Sequence, residues 1–155
     1  MRTKILDINT ALRKAQSYCV YQERCEQELR LKCREWGLNN SDMRKLLDML
    51  YEDDFLNEER FAAAYARGKF RIKKWGKIRI RQELISRQVS SDAIEKGLKV
   101  IDEEGNYEDI LVQVMQNKLP DYEGDAQKTQ KLVHYTISRG FESDLVWQKI
   151  KLLSI

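Results

Sequence analysis

The hydrophobic positions of the chain repeat with one spacing in three separate stretches. Within each stretch, successive positions are nine, five, four and three residues apart. Steps of four and three place side chains on one face of a helix, and a step of five fits a turn between two helices. The pattern therefore predicts three copies of one helix–turn–helix arrangement. The three sets are Leu29, Leu38, Met43, Leu47 and Leu50; Ile80, Val89, Ile94, Leu98 and Ile101; and Leu132, Phe141, Val146, Ile150 and Leu153.

Units of this size bury their apolar faces against their neighbours, as in helical repeat proteins. Only 7 Gly and 1 Pro interrupt the 155 residues, which favours helices throughout. We predict an all-α tandem repeat of three three-helix units with an elongated or curved outline. The units are residues 1–54, a basic unit at 55–104, and residues 105–155. Such repeats build extended binding surfaces, so we expect a protein that binds a partner rather than an enzyme.

The step of five residues matches the hydrophobic staple at the start of a helix. Nearby polar residues are expected to accept the first amides of these helices, namely Asn39 or Asn40, Ser90 or Ser91, and Ser143. Asn57 is expected to do the same for the long helix that follows it. The predicted helices lie near residues 9–21, 23–36, 40–51, 58–73, 77–88, 91–103, 107–118, 125–139 and 143–154.

Charge is distributed unevenly along the chain. The net charge is +3, yet the twenty-one residues from Arg67 to Arg87 contain nine basic residues and one acidic residue. Lys77 and Arg79 fall in the first turn of a predicted helix, where cations oppose the helix dipole, so we expect an anion to dock there. The pattern leaves open whether nucleic acid or an acidic protein surface supplies that anion. The candidate binding residues are Arg67, Arg71, Lys73, Lys74, Lys77, Arg79 and Arg81.

Other groups that could carry chemistry have structural interpretations. The carboxylates at 53–54 and 58–59 precede and begin a helix, where the dipole favours them. His134 lies within a helix with no nucleophile pattern around it, and Cys19, Cys25 and Cys33 form no Cys-x-x-Cys pair, so they are expected to be reduced thiols. We therefore predict no cofactor and no metal site. Trp75 is interpreted as a loop residue packed between units, and Trp36 and Trp147 are interpreted as core residues.

The chain contains neither a signal-peptide core nor an apolar run long enough to span a membrane. With reduced cysteines, these features predict a cytoplasmic protein with no membrane partner. No heptad seam is present, so we expect a monomer.

Two segments of the middle unit resemble the signature of the RecX family. They are Phe-Leu-Asn-Glu-Glu-Arg-Phe-Ala at 55–62, followed by Tyr-Ala-Arg at 65–67, and Gly-Lys-Ile-Arg-Ile-Arg-Gln-Glu-Leu at 76–84. The stretches at 28–32 and 36–38 are similar to the first repeat of that family, and the third unit matches least. Three positions depart from the family pattern: Glu58 stands where Asp is usual, Lys77 where Pro is common, and Gln88 where Gly is common.

The resemblance implies a non-enzymatic bacterial regulator of the RecA recombinase. Such proteins lodge in the groove of the RecA filament on single-stranded DNA. There they oppose strand exchange, ATP hydrolysis and the co-protease activity that triggers the SOS response, and so regulate DNA recombination and repair. The alternative is a stand-alone helical nucleic-acid-binding protein or transcription regulator.

Overall fold

The computed structural model describes residues 5–153 and Ile155, and this part of the chain contains nine α-helices and no strand. The predicted all-α class is confirmed, while the elongated or curved outline stays a prediction. The α-helices are α1 (Ile8–Tyr21), α2 (Glu26–Glu35), α3 (Asn40–Glu52), α4 (Glu58–Gly68), α5 (Lys77–Ser86), α6 (Ser91–Glu104), α7 (Tyr107–Lys118), α8 (Lys128–Ser138) and α9 (Ser143–Ile150). A π-helical turn (Lys69–Lys73) follows α4, and 3-10 turns (Leu119–Tyr122 and Lys151–Leu153) follow α7 and α9.

The largest differences from the predicted helices have local causes. The fourth helix was expected to run to residue 73, but its α-helical part ends at Gly68 and the π turn completes it. The eighth helix begins at Lys128 rather than near 125, because Asp125 accepts a hydrogen bond from the Gln127 N–H at 2.8 Å and forms a turn. The ninth helix ends at Ile150, after which the chain tightens into a 3-10 turn.

The turn before α3 and the turn before α6 share one geometry. Each contains a residue in the left-handed region, Gly37 with φ of 76° and Gln88 with φ of 62°. The next amide bonds back to the end of the preceding helix: Leu38 N–H to the Cys33 carbonyl at 3.0 Å, and Val89 N–H to the Leu84 carbonyl at 3.2 Å. These are the hydrogen bonds of Schellman caps. The predicted N-caps also form, with Asn39 and Ser90 accepting from backbone amides, as Asn57 does at the start of α4.

The third turn differs at its cap. Gly140 adopts φ of 103°, but Ser143 is the first residue of α9 rather than its cap, so that prediction is wrong. Glu142 occupies the cap position without accepting an amide there. Its carboxylate is engaged instead by the hydroxyl of Tyr107. The third turn is therefore modified by a contact from α7.

Buried residues form three clusters that follow the chain in order. Of the fifteen repeated hydrophobic positions, all but Leu38 and Leu153 are buried. The predicted core positions Ile80, Leu84, Ile94 and Leu98 are at most 4% exposed. The unit boundaries at 54 and 104 stay a prediction, because Leu56 packs in the first cluster and Cys25 in the second.

Two helices of the second cluster approach each other closely. A Cβ added at Gly97 on α6 would lie 2.8 Å from the backbone carbonyl carbon of Ala62 on α4. Only glycine fits at that position, since real Cβ contacts are not this short. The close packing holds α4, and the π turn that continues it, against α6.

Candidate binding surface

The basic segment between Arg67 and Arg87 covers the end of α4, the π turn and α5. Phe70 anchors the π turn, since its ring is 1% exposed and lies 5.7 Å from the ring of Tyr107. The neighbouring residues Arg71, Ile72 and Lys73 are exposed, and Ile72 is exposed by 80%. The π turn therefore presents cations and one apolar side chain to solvent.

Three of the seven candidate cations bind carboxylates of α6. Arg71 pairs with Glu104 at 2.6 Å, Lys77 pairs with Asp102, and Arg81 pairs with Glu95. Sequence analysis missed these pairs, because α5 and α6 had to be placed side by side before opposite charges could be matched. The three side chains are at least partly neutralised within the fold.

The other four candidates have no carboxylate partner within residues 5–153. Arg67 lies on α4 just before the π turn, Lys73 and Lys74 lie at its end, and Arg79 lies on α5. We call these four the π-turn cations. The guanidinium of Arg79 lies 4.1 Å from the centre of the Trp75 ring, and Lys69 Nζ lies 5.0 Å from it. Trp75 is half-buried and packs against the second cluster, in keeping with its interpretation as a packing residue.

The first three amides at the N-terminus of α5 donate within the protein and lend no support to an anion there, so the expected docking of an anion at this helix end stays a prediction. Its first amides are used within the protein, and Asp102 neutralises the Lys77 ammonium. The donors and acceptors are Gly76 N–H to the Arg139 carbonyl at 2.9 Å, Lys77 N–H to the Tyr107 hydroxyl at 3.0 Å, and Ile78 N–H to the Gly140 carbonyl at 3.0 Å.

This helix end packs directly on the turn between α8 and α9. A Cβ added at Gly76 would overlap the backbone of Gly140, and one added at Gly140 would overlap the Cβ of Arg79. The two glycines allow the backbones to touch, and the positive φ of Gly140 requires glycine independently. The contact fixes α5, with Arg79, relative to the last two helices.

Tyr107, the first residue of α7, links these elements. Its ring packs 5.4 Å from that of Phe141, and its hydroxyl donates to the Glu142 carboxylate while accepting the Lys77 N–H. Burial, followed by the Glu142 carboxylate, raises the pKa of Tyr107 above its usual range. Sequence analysis did not identify Tyr107, because its hydrogen-bond partners lie 30 and 35 residues away and no local pattern marks it.

A groove of about 770 Å³ separates α2 from α4 and the π turn. Leu31 and Ile72 are its exposed apolar side chains, and Lys69, Lys73 and Arg87 line it together with acidic residues of the first unit. Those acidic residues are Glu23 and Glu28. The groove is therefore mixed in charge and partly apolar.

The carboxylates at the start of α4 are used structurally. Asp54 pairs with Arg60 at 3.1 Å, Glu58 accepts the Ser90 N–H at 2.6 Å, and Glu59 pairs with Lys96 at 2.7 Å. No group of three or more His, Cys, Asp or Glu side chains suited to a metal ion occurs among the residues that the structure describes.

The cysteines, the histidine and two of the tryptophans considered in the sequence analysis lie outside the basic segment. The three cysteines are buried and free, and burial raises the pKa of both Cys19 and Cys25 to about 11. His134 is exposed on α8.

Trp36 is half-buried against the first cluster, but Trp147 is 47% exposed on α9, so its assignment to the core was wrong. Over the described residues, no helix is long and apolar enough to cross a membrane.

The middle of the chain matches a protein-family model. Residues 57–98 match the model described as "RecX, second three-helix domain". This range contains α4, the π turn, α5 and the first half of α6, together with all four π-turn cations.

Curated relatives extend the similarity to most of the chain. The chain is 28% identical over 145 residues to "Regulatory protein RecX" of Prosthecochloris aestuarii, covering 93% of each protein. It is 32% identical over 129 residues to the protein of that name from Clostridium botulinum, covering 81% of this chain but 60% of the clostridial protein.

The fold is also similar to a crystal structure of RecX from Lactobacillus salivarius. The TM-score is 0.82 at 20% identity, and the match covers 95% of this chain and 96% of that one. At this identity the likeness shows a shared fold over most of the chain.

Proposed function

Because this chain belongs to the RecX family, we propose that it is a non-enzymatic regulator of the RecA recombinase. It binds the RecA filament on single-stranded DNA in the cytoplasm, as a monomer. Bound there, it restrains strand exchange, ATP hydrolysis and the co-protease activity of RecA. The observation that carries this proposal is the group of π-turn cations, which lie in the family-matched unit and have no carboxylate partner among the described residues.

Unpaired cations differ from paired ones in what they can give to a partner. An ammonium already bound to a carboxylate must lose that contact before it binds another anion, so its net gain is small. Arg67, Lys73, Lys74 and Arg79 carry no such cost. They can pair with DNA phosphates or with acidic side chains of RecA, and the attraction should weaken as salt is added.

The carboxylates at the start of α4 have structural roles, which is in keeping with a binding protein. Glu58 and Glu59 hold a backbone amide and a lysine, respectively, so each acts in the packing of α4 on α6. A regulator requires a rigid surface more than a reactive group. The close packing at Gly97 provides such rigidity behind the basic segment.

The test compares inhibition of RecA ATP hydrolysis by two matched variants. In the first variant, all four π-turn cations are replaced by glutamine. The control variant replaces two arginines and two lysines by glutamine at exposed positions on other helices. These residues form no ion pair in the described part of the chain; they are Arg13, Arg34, Lys45 and Lys99. Both variants lose the same charge, so a general electrostatic effect should affect them equally.

We expect the first variant to inhibit RecA much more weakly than the control, with the difference shrinking as salt rises. Circular dichroism melts establish that both are folded. Equal inhibition by both variants would mean that the π-turn cations do not contact the filament.

The same proteins separate the alternative function. A transcription regulator would select particular duplex sequences and leave RecA unaffected. Binding to a pool of random duplexes, followed by sequencing of the bound fraction, should show no enrichment for a RecA regulator.

A further inference from the structure

A small basic cavity lies where the π turn meets α7 and α8. Its volume is about 150 Å³, and no carboxylate side chain lines it. Three of its lining residues carry cationic side chains, and the others supply an amide, a phenol and an apolar wall. They are Lys74, Lys118, Arg139, Asn117, Tyr135 and Val114.

Lys74 lines the cavity from an unusual backbone position. It ends the π turn with φ of 54° and ψ of 46°, in the left-handed region that side-chain-bearing residues seldom adopt. Its N–H bonds to the Phe70 carbonyl at 3.1 Å, which holds the residue in place. π-helical turns of this kind are frequent at functional sites.

Arg139 carries a buried donor without an acceptor. Its guanidinium donates through Nη2 to the Lys73 carbonyl, which fixes the side chain, but Nε is buried and has no hydrogen-bond partner. Its own carbonyl accepts the Gly76 N–H at 2.9 Å. An unsatisfied donor on a charged group is costly, and an anion bound beside the guanidinium would offset part of that cost by charge attraction.

Lys118 is only partly available. Its Nζ lies 2.8 Å from Asp121 and 4.7 Å from the centre of the Tyr135 ring. With that pair counted as neutral, Lys74 and Arg139 leave the cavity with a charge of about +2, since neither has a carboxylate partner in the described part of the chain.

We infer that this cavity binds a phosphate group, supplied either by the backbone of single-stranded DNA or by a free nucleotide. Converging donors from three helical elements suit a tetrahedral group with several oxygens better than a planar carboxylate. An arginine held in place beside a lysine supplies two cationic donors, which suits a phosphate group. Assigning the DNA backbone as the physiological source rests on the proposed function.

The binding test follows the Arg139 Nε–H resonance in proton–nitrogen NMR spectra of the full chain. Inorganic phosphate, ATP and a short oligothymidylate are added in separate titrations. We expect oligothymidylate to shift this resonance, and inorganic phosphate to shift it in the same direction at higher concentration. Saturation by ATP at a lower concentration than by oligothymidylate would identify a nucleotide as the source.

The matched variants are Lys74→Gln and Lys45→Gln. Gln88 already occupies the left-handed region at φ of 62° in this protein, so glutamine is compatible with position 74. One lost phosphate contact changes the salt slope of single-strand binding by about 0.7, equivalent to about a fivefold loss of affinity in 0.1 M salt. We expect that loss for Lys74→Gln and no change for Lys45→Gln.

Two results would overturn the inference. In the first, none of the three ligands shifts the Arg139 resonance. In addition, Lys74→Gln and Lys74→Gly, in which glycine relieves the backbone strain, both bind oligothymidylate with wild-type affinity. The other is a glutamate-rich peptide moving this resonance when phosphate does not. Inhibition of RecA by the same variants is read separately. Normal inhibition without phosphate binding refutes only the cavity, whereas phosphate binding by a wild-type protein that leaves RecA unaffected refutes only the proposed function.

Discussion

Removing one oxygen atom from Tyr107 should loosen the junction between α5 and the last two helices. In Tyr107→Phe the ring keeps its packing against Phe70 and Phe141, but two hydrogen bonds disappear. The Lys77 N–H loses its acceptor at 3.0 Å, and Glu142 loses its donor. An unsatisfied buried group costs roughly 1–3 kcal/mol, and water reaches part of this site, so we expect a loss of about 1–2 kcal/mol.

For a chain of this size, that loss lowers the melting temperature by roughly 2–8 °C. Urea unfolding followed by circular dichroism measures the free energy, and amide exchange at Lys77 and Ile78 locates the change. Tyr122→Phe is the control, because Tyr122 is half-buried and its hydroxyl has no hydrogen-bond partner in the described part of the chain. Equal stability of the two variants, within about 0.5 kcal/mol, would show that the Tyr107 hydroxyl does not hold the junction.

Four further results are expected. Leu84→Ala should lower the free energy of unfolding by roughly 2–5 kcal/mol in urea, since the site is fully buried. Gly97→Ala should cost about 1–3 kcal/mol in the same assay, because the added methyl meets the backbone of Ala62. The buried Cys25 thiol, with its pKa raised to about 11, should react slowly with a disulfide reagent at pH 8 until denaturant is added. Because the pKa of Tyr107 is raised from 10.0, its protonated form favours the folded state, so its contribution to stability should be constant below pH 10 and fall above it; the difference between the wild type and Tyr107→Phe in alkaline urea titrations measures that contribution.

Local features of the fold were predictable because they are encoded within a few residues. The steps of five, four and three residues identify a staple followed by a helix face, and the caps at Asn39, Asn57 and Ser90 lie directly beside them. The same local reasoning failed for Ser143. Glu142 precedes it and takes the cap position, and the Glu142 carboxylate accepts a hydrogen bond from the distant Tyr107. Local sequence preferences for helix caps do not predict contacts that depend on where another helix packs.

For the candidate binding surface, the sequence predicted only the excess of basic residues. The excess of cations between residues 67 and 87 is visible in the sequence, but their division into paired and unpaired groups is not. That division depends on α6 lying beside α5, which brings Glu95, Asp102 and Glu104 opposite the basic side chains. Trp147 shows the same limit, since an apolar residue on a short terminal helix was assigned to a core that does not extend over it.

The pairing pattern gives the middle unit two differently charged sides. On the side of α6, carboxylates hold Arg71 of the π turn and Lys77 and Arg81 of α5, and these contacts help to fix both elements against α6. The remaining cations have no carboxylate partner in the described part of the chain: Lys73 is exposed, Lys74 lines the small cavity against α8, Arg79 stacks on Trp75, and Arg67 is half-buried on α4. Binding to a polyanion is favoured where cations have no carboxylate partner, because forming the new contact breaks no existing ion pair. The run of charge in the sequence thus contains one group that is paired within the fold and a second group that we propose for binding.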